Sequence, residues 1–500
     1  MKKNIADFIE VLKRNELISE LHVNDDIKHE IICSLTDNSR ESVKGTMFVC
    51  KGSHFKSEYL KDAITREAVC YITDQKELID ETKPCILVHD IRKTMGILGN
   101  FYYEDAWKAM KVIGITGTKG KSTTAYFLKS IIDNYSVSIG EKPAGILSSI
   151  ENFDGEVFEE SHLTTPEPLR LHWHFNNMIK NGIRYCIMEV SSQALKYGRV
   201  AGIEFDIGCF LNIGEDHISD IEHRDFRDYF ISKSMILDSS KQVLLSDTVD
   251  FDEIGVDISK YGDRISIFGS DEKDDFQVTD ITKKSDGFDF KLRYLGETKT
   301  YSICLGGTFN VYNAAAAVAA AKKLGIPDIN IFDGLSSAKV SGRMELFADR
   351  GKDITVIVDY AHNKLSFQKL FESVKEEYPG KKIVSVFGCP GGKAFARRKD
   401  LGEIAGEYSD LVVITEEDHG EEDLHKICTE ILTHASGRKA HCLIIEDREE
   451  AIQKAVSYYS SDAVVLLTGK GRETRQKRGT EYIETLSDVD IVENLLISMR

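Results

Sequence analysis

An apolar run, Val112-Ile113-Gly114-Ile115-Thr116, ends at a glycine turn and passes directly into the helical pattern TTAYFLKSII. The alternation recurs with YCIMEV and IGCFLNI, and restarts after Lys339 with ITVIVDYA, KIVSVFG, DLVVIT and AVVLLTG. Apolar strands separated by helices predict mostly parallel sheets covered on both faces, an α/β class. At 500 residues the chain is too long for one core, and three domains are expected. Residues 1–108 carry short strand-like runs (MFVC, AVCYIT, CILVHD) and read as a small α/β domain. Residues 109–338 hold the glycine turn, a β-rich stretch (ISIFGS, FDFKLRYLG) and the alanine-rich helix NAAAAVAAAKKLG. Residues 339–500 read as a Rossmann-like domain whose strands end in glycine or acidic loops, where such sheets bind ligands.

The turn itself is Gly117-Thr118-Lys119-Gly120-Lys121-Ser122-Thr123. Backbone amides at a helix start point at anions, glycines admit phosphate, Lys121 adds charge and Ser122 offers a hydroxyl to Mg²⁺. The strict phosphate-loop pattern wants glycine where Ile115 stands, so a motif search alone would pass over it. Glu189 closes the strand YCIMEV and His217 follows IGCFLNI, which predicts both at the carboxyl ends of neighbouring strands beside the loop. With Ser122 they form a candidate Mg²⁺ set, although histidine is an unusual ligand for so hard an ion. Lys233, in DYFISK, reads on pattern alone as an exposed helical lysine.

Composition narrows the partners. A net charge of -18 opposes generic binding to nucleic acid or to an anionic membrane, which would need clustered Lys and Arg. The first residues, MKKNIADFIEVLKRNEL, read as an amphipathic helix without the apolar run of a signal peptide, and no membrane-spanning run comes after it, so a cytoplasmic protein is expected. The ten cysteines stand singly, without a C-x-x-C pair, and read as reduced, mostly buried small hydrophobes.

The segment TGTKGKST resembles the ATP loop of the Mur ligases, and the likeness continues along nearly the whole chain. It takes in Thr164-Thr165-Pro166, Met188-Glu189-Val190-Ser191-Ser192, Asp216-His217, Gly342-Arg343-Met344-Glu345, Asp359-Tyr360-Ala361-His362 and Gly469-Lys470-Gly471. Asp37-Asn38-Ser39-Arg40, with the TTP and EVSS segments, is most similar to the branch that makes UDP-N-acetylmuramoyl-tripeptide, the MurE type. The resemblance implies an N-terminal domain for the uridine nucleotide, a central ATPase domain and a C-terminal domain that brings the amino acid. It implies ATP, Mg²⁺ and a carbamylated Lys233 as metal ligand beside Ser122, Glu189 and His217. Ser39 is expected at the uridine diphosphate end, and Thr164, Thr165, Ser191 and Arg199 at the muramoyl dipeptide. Asn310 and Asn313 resemble the adenine-contacting segment, Arg343 and Asp359 the contacts to ATP from the last domain. Arg398 matches an arginine that holds the carboxylate of the incoming amino acid, and Glu473 a glutamate that binds its amino group. The implied substrates are UDP-MurNAc-dipeptide and a free amino acid, taken by a monomer.

Departures bear on which amino acid. Val340-Ser341-Gly342-Arg343 replaces a frequent Val-Pro-Gly-Arg, Tyr197 stands where glutamine is frequent, and Arg472 replaces a histidine. Glu417-Asp418-His419-Gly420 stands where diaminopimelate-adding members carry Asp-Asn-Pro-Arg, so a cation is missing at Gly420 and an anion added at Asp418. Like charges about 4 Å apart at an effective dielectric of ~20 repel by roughly 4 kcal/mol, enough to reject a substrate carboxylate. L-lysine, or L-ornithine, is therefore expected over meso-diaminopimelate, while Arg472 offers a cation from another direction. The rival readings are a ligase acting on another acid, such as folate or polyglutamate, and a nucleotide-binding protein that has lost its chemistry. The Ser39-Arg40, TTP and EVSS segments oppose the first, and Lys121, Ser122, Glu189, His217 and Lys233 together oppose the second.

Overall fold

The computed structural model describes residues 3–52, 55–80, 82–161, 163–215, 218, 222–284, 287–349 and 352–498. The chain divides into two units, Met1–Ile267 with Ala319–Pro327, and Phe268–Val318 with Asp328–Arg500.

The first unit contains a five-stranded sheet in the order Ile18–His22, Cys85–Val88, Cys70–Thr73, Thr46–Val49, Ser34–Thr36. It is parallel apart from the first pairing. Its three central strands are buried at every position, which is why they read as continuous apolar runs rather than alternating ones. Helix Ile5–Arg14 starts at a capping box between Asn4 and Asp7 and sets Ile5, Phe8, Ile9 and Leu12 into the same core.

The larger sheet of this unit is built on β1 (Lys111–Thr116), β2 (Gly145–Leu147), β3 (Tyr185–Glu189), β4 (Phe205–Phe210) and β5 (Ser240–Ser246). They run parallel in the order β5-β4-β1-β3-β2. Beyond β2 the sheet turns antiparallel through Glu151–Phe153 and Phe158–Glu160. Helices α1 (Lys121–Ser138) and α2 (Phe226–Asp238) come after β1 and β4. The expected adjacency of the strands carrying Glu189 and His217 is corrected here: β1 lies between β3 and β4. The chain leaves β1 toward one side and crosses back to the other, an order in space that spacing along the sequence does not encode. The reversal falls at β1, and the carboxyl end of the strand where the order reverses is the place such sheets use for ligands.

In the second unit an antiparallel ribbon of Phe276–Lys283, Phe288–Tyr294 and Glu297–Ile303 precedes α3 (Phe309–Lys323). The remaining sheet comprises β6 (Glu345–Asp349), β7 (Ile354–Asp359), β8 (Lys382–Phe387), β9 (Leu411–Ile414), β10 (His441–Ile444) and β11 (Ala463–Thr468). Its order is β6-β7-β11-β8-β9-β10, parallel except at β6, with α4 (Lys364–Glu377) after β7, as a Rossmann-like reading predicts. None of the ten cysteines is in a disulfide and seven are buried, as expected of small hydrophobes. Among the described residues no helix is long and apolar enough to cross a membrane.

Candidate active site

The segment after β1 is held in shape before any ligand is considered. Gly120, at φ 84°, caps α1 in a conformation that side chains disfavour. Asn212, just past β4, grips the loop three times: its carbonyl accepts from Thr118 N at 3.1 Å, its Oδ1 from Lys119 N at 2.9 Å, and its Nδ2 donates to Lys119 O at 3.0 Å. Thr118 Oγ1 accepts from Gly214 N at 3.1 Å and from the Tyr229 hydroxyl at 3.2 Å. Lys121 Nζ folds back to the carbonyls of Gly117 and Thr118, at 3.0 and 3.4 Å. A phosphate seated at the start of α1 would exchange these neutral acceptors for charged oxygens.

Beside the loop, β3 delivers Glu189, which is 1% exposed. Its Oε1 accepts from Ser149 N at 3.0 Å and from Ser149 Oγ at 3.2 Å, and Ser149 Oγ lies 3.0 Å from Ser122 Oγ. A hydroxyl and a carboxylate joined through one serine are hard oxygen donors, and they suit Mg²⁺, which binds through one or two carboxylates together with substrate phosphates. Among the described residues no group of three His, Cys, Asp or Glu side chains is placed to hold a metal ion. His217 lies outside the described residues. Lys233 departs from its exposed-helix reading. It is 2% exposed, donates to Gly117 O at 2.9 Å and lies 4.7 Å from the Tyr229 ring centroid. Residues 229, 230, 232, 233, 234, 236 and 237 of α2 are all buried, a wider buried arc than an amphipathic surface helix carries.

Of the expected dipeptide-binding residues, Thr165, Ser191 and Arg199 meet in the same network. Thr165 Oγ1 donates to Glu189 O at 2.9 Å and accepts from Ser191 N at 3.0 Å, and Ser191 caps the helix Ser192–Lys196. Arg199 donates to Thr165 O at 3.1 Å and pairs with Glu167 at 3.1 Å. Glu167 also pairs with Lys51 at 2.9 Å, and Lys51 reaches Asp37 at 3.1 Å, two residues before the buried Ser39. Thr164 is half-buried next to Thr165.

In the second unit, Asn313 Nδ2 donates to Asn310 Oδ1 at 2.8 Å and Asn310 Nδ2 to Gly306 O at 2.6 Å. Asp359, at the end of β7, accepts from Met344 N and Ala361 N at 2.9 and 2.8 Å, and the Arg343 guanidinium lies over Tyr360 at 4.9 Å. Arg398, 3% exposed, makes two bonds to Glu422 (2.9 and 2.7 Å) and a third to Glu430 at 2.6 Å. Asp418 is not the bare anion that the sequence counts. Its Oδ1 accepts from Lys470 Nζ at 3.0 Å and from Lys477 N at 2.9 Å. Lys470 also pairs with Glu473 at 2.7 Å, and Glu473 accepts from the Tyr360 hydroxyl at 2.7 Å. Asp418, Glu473, Lys470 and Tyr360 thus form one group, while Arg472 is turned to Glu345 with bonds of 2.8 and 2.7 Å. Burial pushes the neighbouring Glu417 carboxyl up to about 7.

The chain matches the Mur ligase middle domain over residues 115–321 and the Mur ligase glutamate ligase domain over residues 342–471. A UDP-N-acetylmuramoyl-L-alanyl-D-glutamate--L-lysine ligase of Enterococcus faecalis (strain ATCC 700802 / V583) is 35% identical over 480 residues, 93% of each chain. This protein belongs to the Mur ligase family. A UDP-N-acetylmuramoyl-L-alanyl-D-glutamate--2,6-diaminopimelate ligase of Clostridioides difficile (strain 630) is 36% identical over 479 residues, 93% of this chain and 96% of that one. Among solved structures, a UDP-N-acetylmuramoyl-L-alanyl-D-glutamate--2,6-diaminopimelate ligase shares the fold, with a TM-score of 0.68 at 20% identity and full coverage of both chains. The family comprises ATP-dependent ligases of peptidoglycan precursor synthesis, and this chain is one of them.

Several residues that organise this Mur ligase were not singled out from the sequence. Ser149 and Asn212 stand at strand ends, like many ordinary polar residues, and only the strand order brings them to the loop. Lys51 and Glu167 are more than a hundred positions apart, and Lys470 gave its signal only as part of a glycine-flanked motif.

Proposed function

We propose that this Mur ligase joins L-lysine to the D-glutamyl carboxylate of UDP-MurNAc-L-Ala-D-Glu. The observation that carries the reading is the continuity of one hydrogen-bond network. Ser122 of the phosphate loop reaches the Glu189 side chain through Ser149, and the Glu189 backbone reaches Thr165 and Ser191. Phosphate, metal and peptide carboxylate would therefore be positioned from a single rigid set of strand ends.

In the first step a D-glutamyl oxygen attacks the γ-phosphorus, the bond to the β–γ bridging oxygen breaks, and ADP leaves. The incoming amine then attacks the acyl carbon of the acyl-phosphate, loses a proton and expels phosphate. Lys121 and the amides at the start of α1 stabilise charge on the transferring phosphoryl group. Magnesium, when bound, neutralises charge passing between phosphate and carboxylate. Ser122 and Glu189 would hold it, with His217 and a carbamylated Lys233 completing the set. Carbamylation joins CO₂ to the neutral Nζ and releases a proton, and the buried position of Lys233 beside the loop supports it. Arg343, Asp359, Asn310 and Asn313 would serve ATP, and Ser39, Lys51 and Arg199 the UDP-linked dipeptide.

On this reading residues 1–108 take the uridine nucleotide, 109–338 ATP and 339–500 the amino acid, in a cytoplasmic monomer. Lysine is favoured because Asp418 and Glu473 outnumber Lys470 in the amino-acid group, leaving a negative balance for an ε-ammonium, and because Arg472 is bonded to Glu345. Incubation with ATP, Mg²⁺, UDP-MurNAc-L-Ala-D-Glu and L-lysine is expected to yield the UDP-MurNAc-tripeptide by mass. ATP hydrolysis without that product would refute the reading.

A further inference from the structure

The second unit buries a carboxylate that the proposed chemistry does not use. Glu377, the last residue of α4, is 8% exposed, and burial raises its pKa from the ordinary value. Its Oε1 accepts from Gly307 N at 2.8 Å and from Ser373 Oγ at 2.6 Å. Lys283, on the ribbon, donates to the Glu377 main-chain carbonyl and lies 4.0 Å over the Tyr378 ring, so the end of α4 is fastened on two sides.

The bond from Gly307 matters because this glycine leads the chain into α3 and its two asparagines. Gly307 has φ 85°, and a Cβ there would stand 2.7 Å from the Phe309 ring, so the turn is specific to glycine and tightly closed. Gly306 gives its carbonyl to Asn310 Nδ2, and Asn310 Oδ1 accepts from Asn313 Nδ2. The orientation of both asparagine side chains is thus inherited from the Gly306-Gly307 turn, and the turn is pinned by Glu377. A carboxylate at this point also faces the positive end of α3.

We propose that Glu377 is a positioning residue for the nucleotide: it fixes the Gly306-Gly307 turn and through it aims Asn310 and Asn313 at the adenine ring. The proposal rests on the reading of Asn310 and Asn313 as adenine contacts. In the full-length enzyme, Glu377→Ala is expected to raise the Kd for ADP, by calorimetric titration, and the KM for ATP about tenfold. The kcat and the KM for UDP-MurNAc-dipeptide should stay within about twofold, because the reacting groups hang from other elements. Glu377→Gln retains an acceptor oxygen and should restore ADP affinity to within about twofold of the parent. Ser373→Ala, which removes one bond to the carboxylate, should give the same pattern at smaller size, and it serves where the alanine variant does not fold. Unchanged ADP affinity in folded Glu377→Ala, a glutamine variant as impaired as alanine, or equal loss in every constant would each overturn the role. A parent enzyme that binds no ADP would instead defeat the functional reading beneath it.

Discussion

Lys233 shows how far a single residue can depart from its local pattern. The segment DYFISK offers a lysine that helical periodicity assigns to water, yet the side chain is 2% exposed and bonded to the carbonyl of Gly117. Burial of a lysine costs several kcal/mol that partners offset, and the Gly117 carbonyl and the Tyr229 ring are two of them here. Lys233→Ala is expected to abolish ligation while far-ultraviolet dichroism stays that of the parent, and short carboxylic acids are expected to restore part of the activity. Parent-like turnover by the alanine variant would rule out the carbamate as a metal ligand. Glu417 is a second case. Its carboxyl is pushed up to about 7 from an ordinary 4.5, chiefly by desolvation. Between those values the folded protein holds a proton that the unfolded chain has lost, so this group's contribution to stability falls as pH rises through the window, and its cost is complete above about 7. Glu417→Gln should therefore be more stable than the parent at pH 8, by at most ~3 kcal/mol, and lose that advantage below about pH 4.5. Equal denaturant midpoints for the two proteins at pH 8 would contradict the burial argument.

At the scale of elements, the most legible feature was the strand-turn-helix of β1, the phosphate loop and α1, because an apolar strand, glycines and a helix start each carry independent local signals. Glu189 at the end of β3 was legible for the same reason. What was not legible is how the loop is held. Asn212 clamps it from β4, and Ser149 links it to Glu189 from the end of β2, and both depend on strand order rather than on spacing. The pairing of Asp418 with Lys470 was hidden likewise, since it joins loops 52 positions apart. Because the loop hangs on Asn212 and Tyr229 as well as on its own lysine, Lys121→Ala should leave the fold and the binding of UDP-MurNAc-dipeptide intact while ligation is lost. Calorimetric titration with the dipeptide substrate checks this. Loss of that binding as well would mean that Lys121 shapes the unit instead of serving the phosphate.

At the scale of the whole molecule, α/β alternation sufficed to predict parallel sheets, and the order of motifs from Ser39 to Glu473 sufficed to place the chain among the Mur ligases. The amino acid added is the finer question, because similar relatives are a lysine ligase in one organism and a diaminopimelate ligase in another. Fold and ATP chemistry are shared between them, and on the proposed reading discrimination would fall to the charge around Asp418, Glu473 and Lys470. The most direct test is ADP release with UDP-MurNAc-L-Ala-D-Glu and L-lysine, L-ornithine or meso-diaminopimelate at equal concentration. Release is expected to depend on the dipeptide substrate and to be fastest with L-lysine. Preference for meso-diaminopimelate would contradict the charge reading and turn attention to Arg472 leaving Glu345 for the substrate.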